Sequence, residues 1–482
     1  AFVMDSVLWV RPVAPNGIPS GPARQITHEV TDAPTWTGDS KKILYLSNGK
    51  LRLIGIDSSS PTTVPLDLTW QYEKPAPRTI IHAGRLWDGR GPDEKTDVDI
   101  TIANGRIQAI EPHRERQASE GANLVDATKL TVIPGLWESH THEWISGKFY
   151  GDRLGRLWLA YGVTELQSMG DPVYRAMETR EAFGSGGRLG PRYFASGEAI
   201  DGERVYYNFM RPTMGDAQLN LELSRAQALD YDLLKTYVRL PHAMQEKAMK
   251  FAHEKMGVST VSHYMLPGLA YGMDGMSHVS ATARLGFAYT RSATGVSYAD
   301  MRDLFAASGM FDISTPFASS PLYAEDPKMV DDPRLLALNT PWDEKVLHAK
   351  LATAQGRPAV TLDSLKKEME TVAAIVRAGG NIVTGTDSPL DSVATALHLS
   401  LRAQVKYGLE PWQALQTATL TPAKVFGVSN DLGTIEPGKL ADLTLVAGDP
   451  LRNISDVTNV TMVVKGGKVY SIAELMAPFK LH

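Results

Sequence analysis

The chain has 482 residues, 43% of them hydrophobic and 21% charged, with a formal net charge of −5 and no cysteine. This is an ordinary globular mixture of roughly two or three domains. It has no basic footprint for nucleic acid and no apolar run near the ~20 residues of a membrane-spanning helix. Without thiols, disulfides, Cys-ligated zinc and thiol catalysis are excluded, and metal chemistry falls to His, Asp, Glu and Lys.

Residues 1–77 are turn-rich, and short apolar runs at 7–10, 43–46 and 51–56 predict strands. Ser47-Asn48-Gly49-Lys50 joins the last two, and Asn-Gly is a strong hairpin signal. The stretch from Ala33 through Pro34 and Trp36 to Ile43 resembles the Pro-x-Trp-Ser-Pro-Asp-Gly-Lys repeat of Tol-type β-propellers. A single blade cannot bury its own faces. The segment therefore reads as a blade-like β appendage docked on the main body, or as the tail of a propeller. A lone β appendage without that ancestry stays open. The chain opens on Ala1 with no charged n-region and apolar h-region, so a processed mature form or a recombinant start is expected. The absence of cysteine favours a periplasmic or secreted location over a cytoplasmic one.

Residues 78–134 stay β in texture, with strands expected at 79–82, 97–102 and 106–110 and a tight turn at Asn104-Gly105. Residues 427–475 repeat that texture, with strands at 442–446 and 461–464 and a hairpin turn at Lys465-Gly466-Gly467-Lys468. Two β segments bracketing a long α/β stretch predict one small β-sandwich built from both flanks. Within 135–426, strands at 162–166, 233–238, 258–262 and 381–384 alternate with helices at 171–183, 241–256 and 394–407. The fold class is thus α/β, with a parallel sheet and covering helices, and the length suits a (β/α)8 TIM-like barrel with insertions.

The sharpest chemical signal is Val132-Ile133-Pro134-Gly135-Leu136-Trp137-Glu138-Ser139-His140-Thr141-His142. In an extended segment residues i and i+2 face one side, so both imidazoles can reach one ion. Such a pair alone is equally well structural. Its place at the end of an apolar strand sharpens it, because barrel active sites gather at the C-terminal ends of the strands. His263 ends the apolar run 258–262, His278 ends 273–277, and Asp387 ends 381–386. The other eight of the 12 histidines (His28, His82, His113, His242, His253, His348, His398 and His482) fall in helices, loops, β appendages or the tail, and read as structural. Lys235 stands inside the apolar run 232–238, where an unpaired ammonium is expensive to bury. A lysine depressed in pKa can take up carbon dioxide as a carbamate that bridges two ions. The alternative is a lysine snorkelling to the mouth or pairing with an acid.

These residues resemble the amidohydrolase superfamily, in the branch of imidazolonepropionase-like and Xaa-Pro dipeptidase-like enzymes. The resemblance runs from Thr79 to Val469. It includes Ala83-Gly84-Arg85-Leu86-Trp87-Asp88-Gly89, Ile133-Pro134-Gly135-Leu136 with the His pair, Asp274-Gly275-Met276-Ser277-His278 and Thr384-Gly385-Thr386-Asp387. It closes on Gly433-Thr434-Ile435-Glu436-Pro437-Gly438-Lys439-Leu440-Ala441-Asp442. It implies that His140 and His142 bind the more buried ion with Asp387, that carbamylated Lys235 bridges, and that His263 and His278 bind the second. Two divalent ions, zinc above others, are the cofactors expected. Tyr237 and Arg239 follow Lys235 on the predicted strand, and Tyr206 and Tyr207 lie in a loop rich in Arg and aromatics; all four are candidate substrate contacts, with loop packing as the alternative.

The activity implied is hydrolysis of an amide, peptide-like or N-acyl amino acid, by a metal-bridging hydroxide with Asp387 as proton shuttle. The same site suits a cyclic amide, lactone or phosphoester. A third reading keeps the barrel as a non-catalytic binding protein. The expected partner is a small molecule, without nucleic acid or membrane insertion, and a homo-oligomer is allowed.

Overall fold

The computed structural model describes residues 1–58, 60–75, 78–115, 122–143, 151–207, 210–279, 290–356 and 358–479; His482 lies outside them. The N-terminal part forms two small antiparallel sheets. One has three strands, Phe2–Met4, Val7–Val10 and Arg24–Gln25, and the other four, Asp32–Trp36, Lys42–Ser47, Lys50–Gly55 and Thr62–Thr63. Asn48 and Gly49 both take positive φ, 48° and 75°, as a two-residue type I′ hairpin demands. This unit docks on the main body through buried charges. Arg225, only 2% exposed, meets Asp32 at 3.2 Å, Glu198 at 2.8 Å and Glu222 at 2.6 Å. Arg211 pairs with Asp32 as well, and Ser6 donates to Glu222.

The two β flanks meet in one seven-stranded sheet. Its order is Arg106–Pro112, Lys95–Ala103, Thr79–Leu86, Asn123–Pro134, Leu443–Ala447, Val460–Lys465, Lys468–Ser471. The seam is antiparallel, from Leu130 opposite Ala447 to Pro134 opposite Leu443. The expected sandwich of two facing sheets is here a single sheet. Its core gathers Ile81, Ile100, Ile107, Val132, Leu445 and Val464 from six strands, so the sheet bends round its own apolar face.

Eight parallel strands follow one another in the middle of the chain. We number them β1 Leu136–Thr141, β2 Val163–Ser168, β3 Arg192–Phe194, β4 Leu233–Lys235, β5 Ser259–Ser262, β6 Gly275–Ser277, β7 Phe311–Ser314 and β8 Asn381–Thr384. They fall into a three-stranded sheet, β1-β2-β3, and a five-stranded one, β4 to β8, and not into one continuous ring. An isolated parallel bridge from Thr141 to Ser388 joins the ends of β1 and β8, and a second, from Ile200 to Thr236, joins the stretch after β4 to a separate parallel pair, Ile200–Asp201 with Arg211–Pro212. The arrangement is α/β and TIM-barrel-like. Leu233, Val261, Phe311, Ile313 and Val383 pack together on the inner side of the strands. With period two, Lys235 and His263 follow Leu233 and Val261 onto that same side.

The strand expected over 233–238 stops at Lys235. Beyond it, the Tyr237 amide donates to Ile200 O at 2.9 Å, and Leu240 N closes a turn onto Tyr237 O at 3.2 Å. Tyr237 and Arg239 are therefore not strand residues. Their side chains cannot be placed by alternation from Lys235.

Between Phe311 and Ile313, Asp312 faces the opposite way, towards the helix Pro358–Arg377 that holds Glu368. It is fully buried, and among the described residues neither carboxyl oxygen has a hydrogen-bond partner. Burial pushes Glu368 up to about 7, with Arg291 opposing, and burial plus the Glu368 charge hold Asp312 well above the ordinary range. A carboxyl raised on folding is protonated more readily in the native state. Its contribution is therefore most favourable below the unfolded value of 4.5 and is lost as pH climbs towards about 7. For Glu368 that loss is about 3 kcal/mol. Glu368→Gln should flatten the fall in melting temperature between about pH 5 and pH 7. An unchanged slope, followed by circular dichroism, would refute the assignment.

Candidate metal centre

The ends of β1, β6 and β8 deliver the first candidate ligands. β1 is buried along its whole length, and His140 and His142 are 1% and 8% exposed. Glu138, two residues before His140, accepts from His140 N at 2.9 Å and from Thr386 N at 2.8 Å, tying the ends of β1 and β8 together. Burial pushes Glu138 up to about 8. Gly385 permits the close approach, since a Cβ there would lie 2.6 Å from His140 Cβ. His278 and Asp387 both adopt the left-handed region, with φ 69° and 57°. A positive φ is uncommon for non-glycine residues, and Asp tolerates it better than most; here it turns each side chain inward just past its strand.

Asp387 is the hub. Its Oδ1 lies 3.1 Å from His142 Nε2 and 3.4 Å from His140 Nε2, and its Oδ2 lies 3.7 Å from His278 Nε2. His142 donates Nδ1–H to Gly170 O at 2.7 Å, and Thr315 hydrogen-bonds Nδ1 of His278. In both rings the outer nitrogen is thereby fixed and Nε2 is left for the centre, the usual support behind a metal-bound histidine. Among the described residues, both ring nitrogens of His140 and Oδ1 of Asp387 are buried without a hydrogen bond of normal geometry. Atoms of this kind are costly to leave unsatisfied. His140, His278 and Asp387 each offer an atom within 4.8 Å of the others.

His263 joins from β5, its ring 4.8 Å from that of His278. Lys235 is 1% exposed, and its Nζ hydrogen-bonds the Ser277 hydroxyl at the end of β6. Burial, against the pull of Asp387, brings its amine down to about 7. Burial holds His140 and His263 well below the ordinary imidazole range and brings His278 to about 4. Burial also opposes charge on His142, but the hydrogen bond and charge of Asp387 outweigh it and raise that ring. Burial would raise Asp387, yet the surrounding histidines hold it well below the carboxylate range. The imidazoles of His140, His263 and His278, kept uncharged by burial, form with His142 and the fixed carboxylate of Asp387 a donor set of nitrogen and oxygen that fits a divalent ion.

Above this set lies an aromatic wall. The Tyr237 ring is 4.3 Å from His263, with Tyr206 and Tyr207 at 5.5 Å and 5.9 Å from Tyr237. Phe317, half exposed, stands 5.3 Å from His278. Arg239 points elsewhere: its guanidinium donates to Arg204 O and Val205 O and stacks on Tyr206, bracing the loop. Asp201 holds the same loop by accepting from Tyr206 N and Arg239 N, both at 2.8 Å. Sequence reasoning missed Glu138, Thr315 and Phe317. Glu138 could have been found from its i−2 place before His140; the other two carry no local signal. His398, buried in a helix, bonds Tyr161 O at 2.9 Å and belongs to packing.

The amidohydrolase family model matches residues 316–470, a stretch that includes Asp387 but none of the earlier ligands. An adenine deaminase of Mesorhizobium japonicum is 23% identical over 402 residues, 81% of this chain and 57% of that protein. The chain thus spans little more than half the length of that relative. An imidazolonepropionase of Thermoplasma volcanium is 22% identical over 414 residues, 77% of this chain and 91% of that protein. The solved structure of a Xaa-Pro dipeptidase with bound methionine in its active site matches with a TM-score of 0.62 at 22% identity. That match covers 82% of this chain and 100% of the other, and it supports the fold.

Proposed function

We propose that this chain, whose residues 316–470 match the amidohydrolase family model, is a metal-dependent hydrolase of a carbon–nitrogen bond, with a peptide-like or N-acyl amino acid amide as substrate. The observation that supports this most is the buried, unsatisfied donor set of His140 and Asp387 beside His142, His263 and His278. On this reading the two parallel sheets are arcs of one (β/α)8 barrel over residues 135–426. Segments 78–134 and 427–475 flank it, and 1–77 is an appendage.

His140, His142 and Asp387 would hold the more buried ion, His263 and His278 the second, and a carbamate on Lys235 would stand between them. Zinc suits these donors. Such ions supply the Lewis acidity that makes water nucleophilic near neutral pH and polarises a carbonyl. Asp387 takes the proton of the attacking water and hands it to the leaving nitrogen. Thr315 and Gly170 O hold the histidine rings in orientation. Tyr206, Tyr207, Tyr237 and Phe317 wall the substrate side and keep bulk water from it.

A second reading is favoured by the relatives' names. Adenine and imidazolonepropionate are rings, so a cyclic C–N substrate stands beside the open-chain amide. The retained ligand set speaks against a non-catalytic binding protein.

The test joins elemental analysis to a panel of dipeptides, N-acyl amino acids, cyclic amides, lactones and phosphoesters. Close to two divalent ions per chain and turnover of an open-chain amide are expected. No bound metal after metal-supplemented expression would sink the enzyme reading. Turnover confined to rings would overturn the substrate class alone.

A further inference from the structure

A second group of ligand-type side chains lies on the seven-stranded sheet, on strands that contribute nothing to the barrel centre. His82 sits on Thr79–Leu86, opposite Asp99 in the register of Lys95–Ala103. His113 lies one residue beyond the edge strand Arg106–Pro112, and its amide donates to Asp97 O at 2.9 Å. His82 Nε2 meets Asp97 Oδ1 at 2.8 Å, and His113 Nδ1 meets Asp99 Oδ1 at 2.8 Å. The two imidazoles stack face to face, centroids 3.4 Å apart and planes within 1°. They are 23% and 28% exposed, and Asp99 is 2% exposed.

A neutral imidazole that donates one ring N–H to a carboxylate keeps its other nitrogen as an acceptor. Carboxylate–imidazole pairs of this kind stand behind metal-bound histidines. Here two such pairs are brought together on two adjacent strands and the turn just after Pro112, and His82, Asp99 and His113 each offer an atom within 4.8 Å of the others; the second oxygen of Asp99 also accepts from Arg114 N at 3.3 Å. Asp126 is the register partner of His82 on its other side, a third carboxylate beside the pair. We propose that His82, His113 and Asp99, with Asp97 at the rim, form a second metal site for a zinc-class divalent ion. Two nitrogens with carboxylate oxygen select that class over calcium or magnesium, which take all-oxygen sets.

Parallel rings aim their lone pairs along parallel planes, so one ring must swing about its Cβ–Cγ bond to share an ion. That torsion is broad in histidine, and the ring that swings exchanges its carboxylate hydrogen bond and its stacking for the ion. An ion there would clamp the edge strand to its neighbours.

The experiment compares wild type with His82→Gln/His113→Gln, both equilibrated at micromolar free zinc and analysed for metal per chain. It is repeated in chains whose barrel centre is disabled by His140→Ala/His142→Ala. Wild type should hold one more ion than the double variant, and that difference should persist with the barrel centre disabled. The result is therefore independent of the proposed activity. Zinc should also raise the melting temperature of wild type more than that of the variant. If the double variant does not fold, the single His113→Gln replaces it and should lose the same ion. Equal metal content in folded wild type and variant overturns the site.

Discussion

Asp387→Asn is expected to lower turnover of the best substrate by about 10²–10⁴-fold, the usual cost of losing a general base, and further if metal binding weakens. The argument begins at the backbone. Asp387 sits at φ 57°, and asparagine is among the few residues that accept this region readily, so the loop should keep its course. Its amide N also donates to His140 O at 2.7 Å, a bond the substitution leaves in place. What is lost is the carboxylate that faces His140, His142 and His278 at 3.1–3.7 Å. Asparagine cannot take up the proton that Asp387 is proposed to receive. Melting temperature should shift only modestly, because the side chain points into the site and not into the apolar core. Activity, metal content and melting temperature are measured together. Near wild-type turnover with both ions bound would show that the proton travels by another group, and a tyrosine of the 206–207 loop would be tested next. His398 is no candidate, since its Nε2 bonds Tyr161 O in the helical layer.

Lys235→Ala should lose one of the two proposed ions and lower turnover on the order of 10²–10³-fold, the scale of removing a preorganised electrostatic group. Lys235 is fully buried at the end of β4, and the Ser277 hydroxyl is its hydrogen-bond partner. An ammonium there would be expensive, whereas a carbamate would bring the anion that two cations require. Short carboxylates such as acetate or propionate should restore part of the activity by standing in the vacated space. Loss of the Ser277 partner costs about 1 kcal/mol, so the variant should fold. Lys235→Arg keeps the positive charge in a planar, permanently protonated group that forms no carbamate. If Lys235→Arg retained both ions and full turnover, the bridging role would be wrong.

That these side chains converge on one centre was legible because it obeys local rules. His140, His263, His278 and Asp387 each end an apolar run, and a strand's period of two decides which side such a residue faces. The Asn48-Gly49 and Asn104-Gly105 turns were legible for a similar reason: both need positive φ, which those residue types supply, with 48° and 75° in the first and 53° and 73° in the second. The composite sheet was foreshadowed by texture at both flanks, but its single, bent form depends on the antiparallel seam between 130–134 and 443–447.

What only the tertiary structure decided lies in pairings between distant segments. The chain leaves β4 at Lys235 because Tyr237 finds Ile200, not because the residues 236–238 lose strand character, and so the Arg239 guanidinium is placed on the carbonyls of the 204–205 loop. His82 and His113 read as structural histidines of a β segment or loop until the folded sheet stacks them. Arg225, Asp32 and Glu198 are unremarkable charges in the linear chain, yet folding buries them as one network that fastens the N-terminal unit. Local propensity and periodicity choose the element and its inward face. Which inward faces meet is set by register and by burial shared among residues far apart in the chain, and no window of neighbouring residues contains that information.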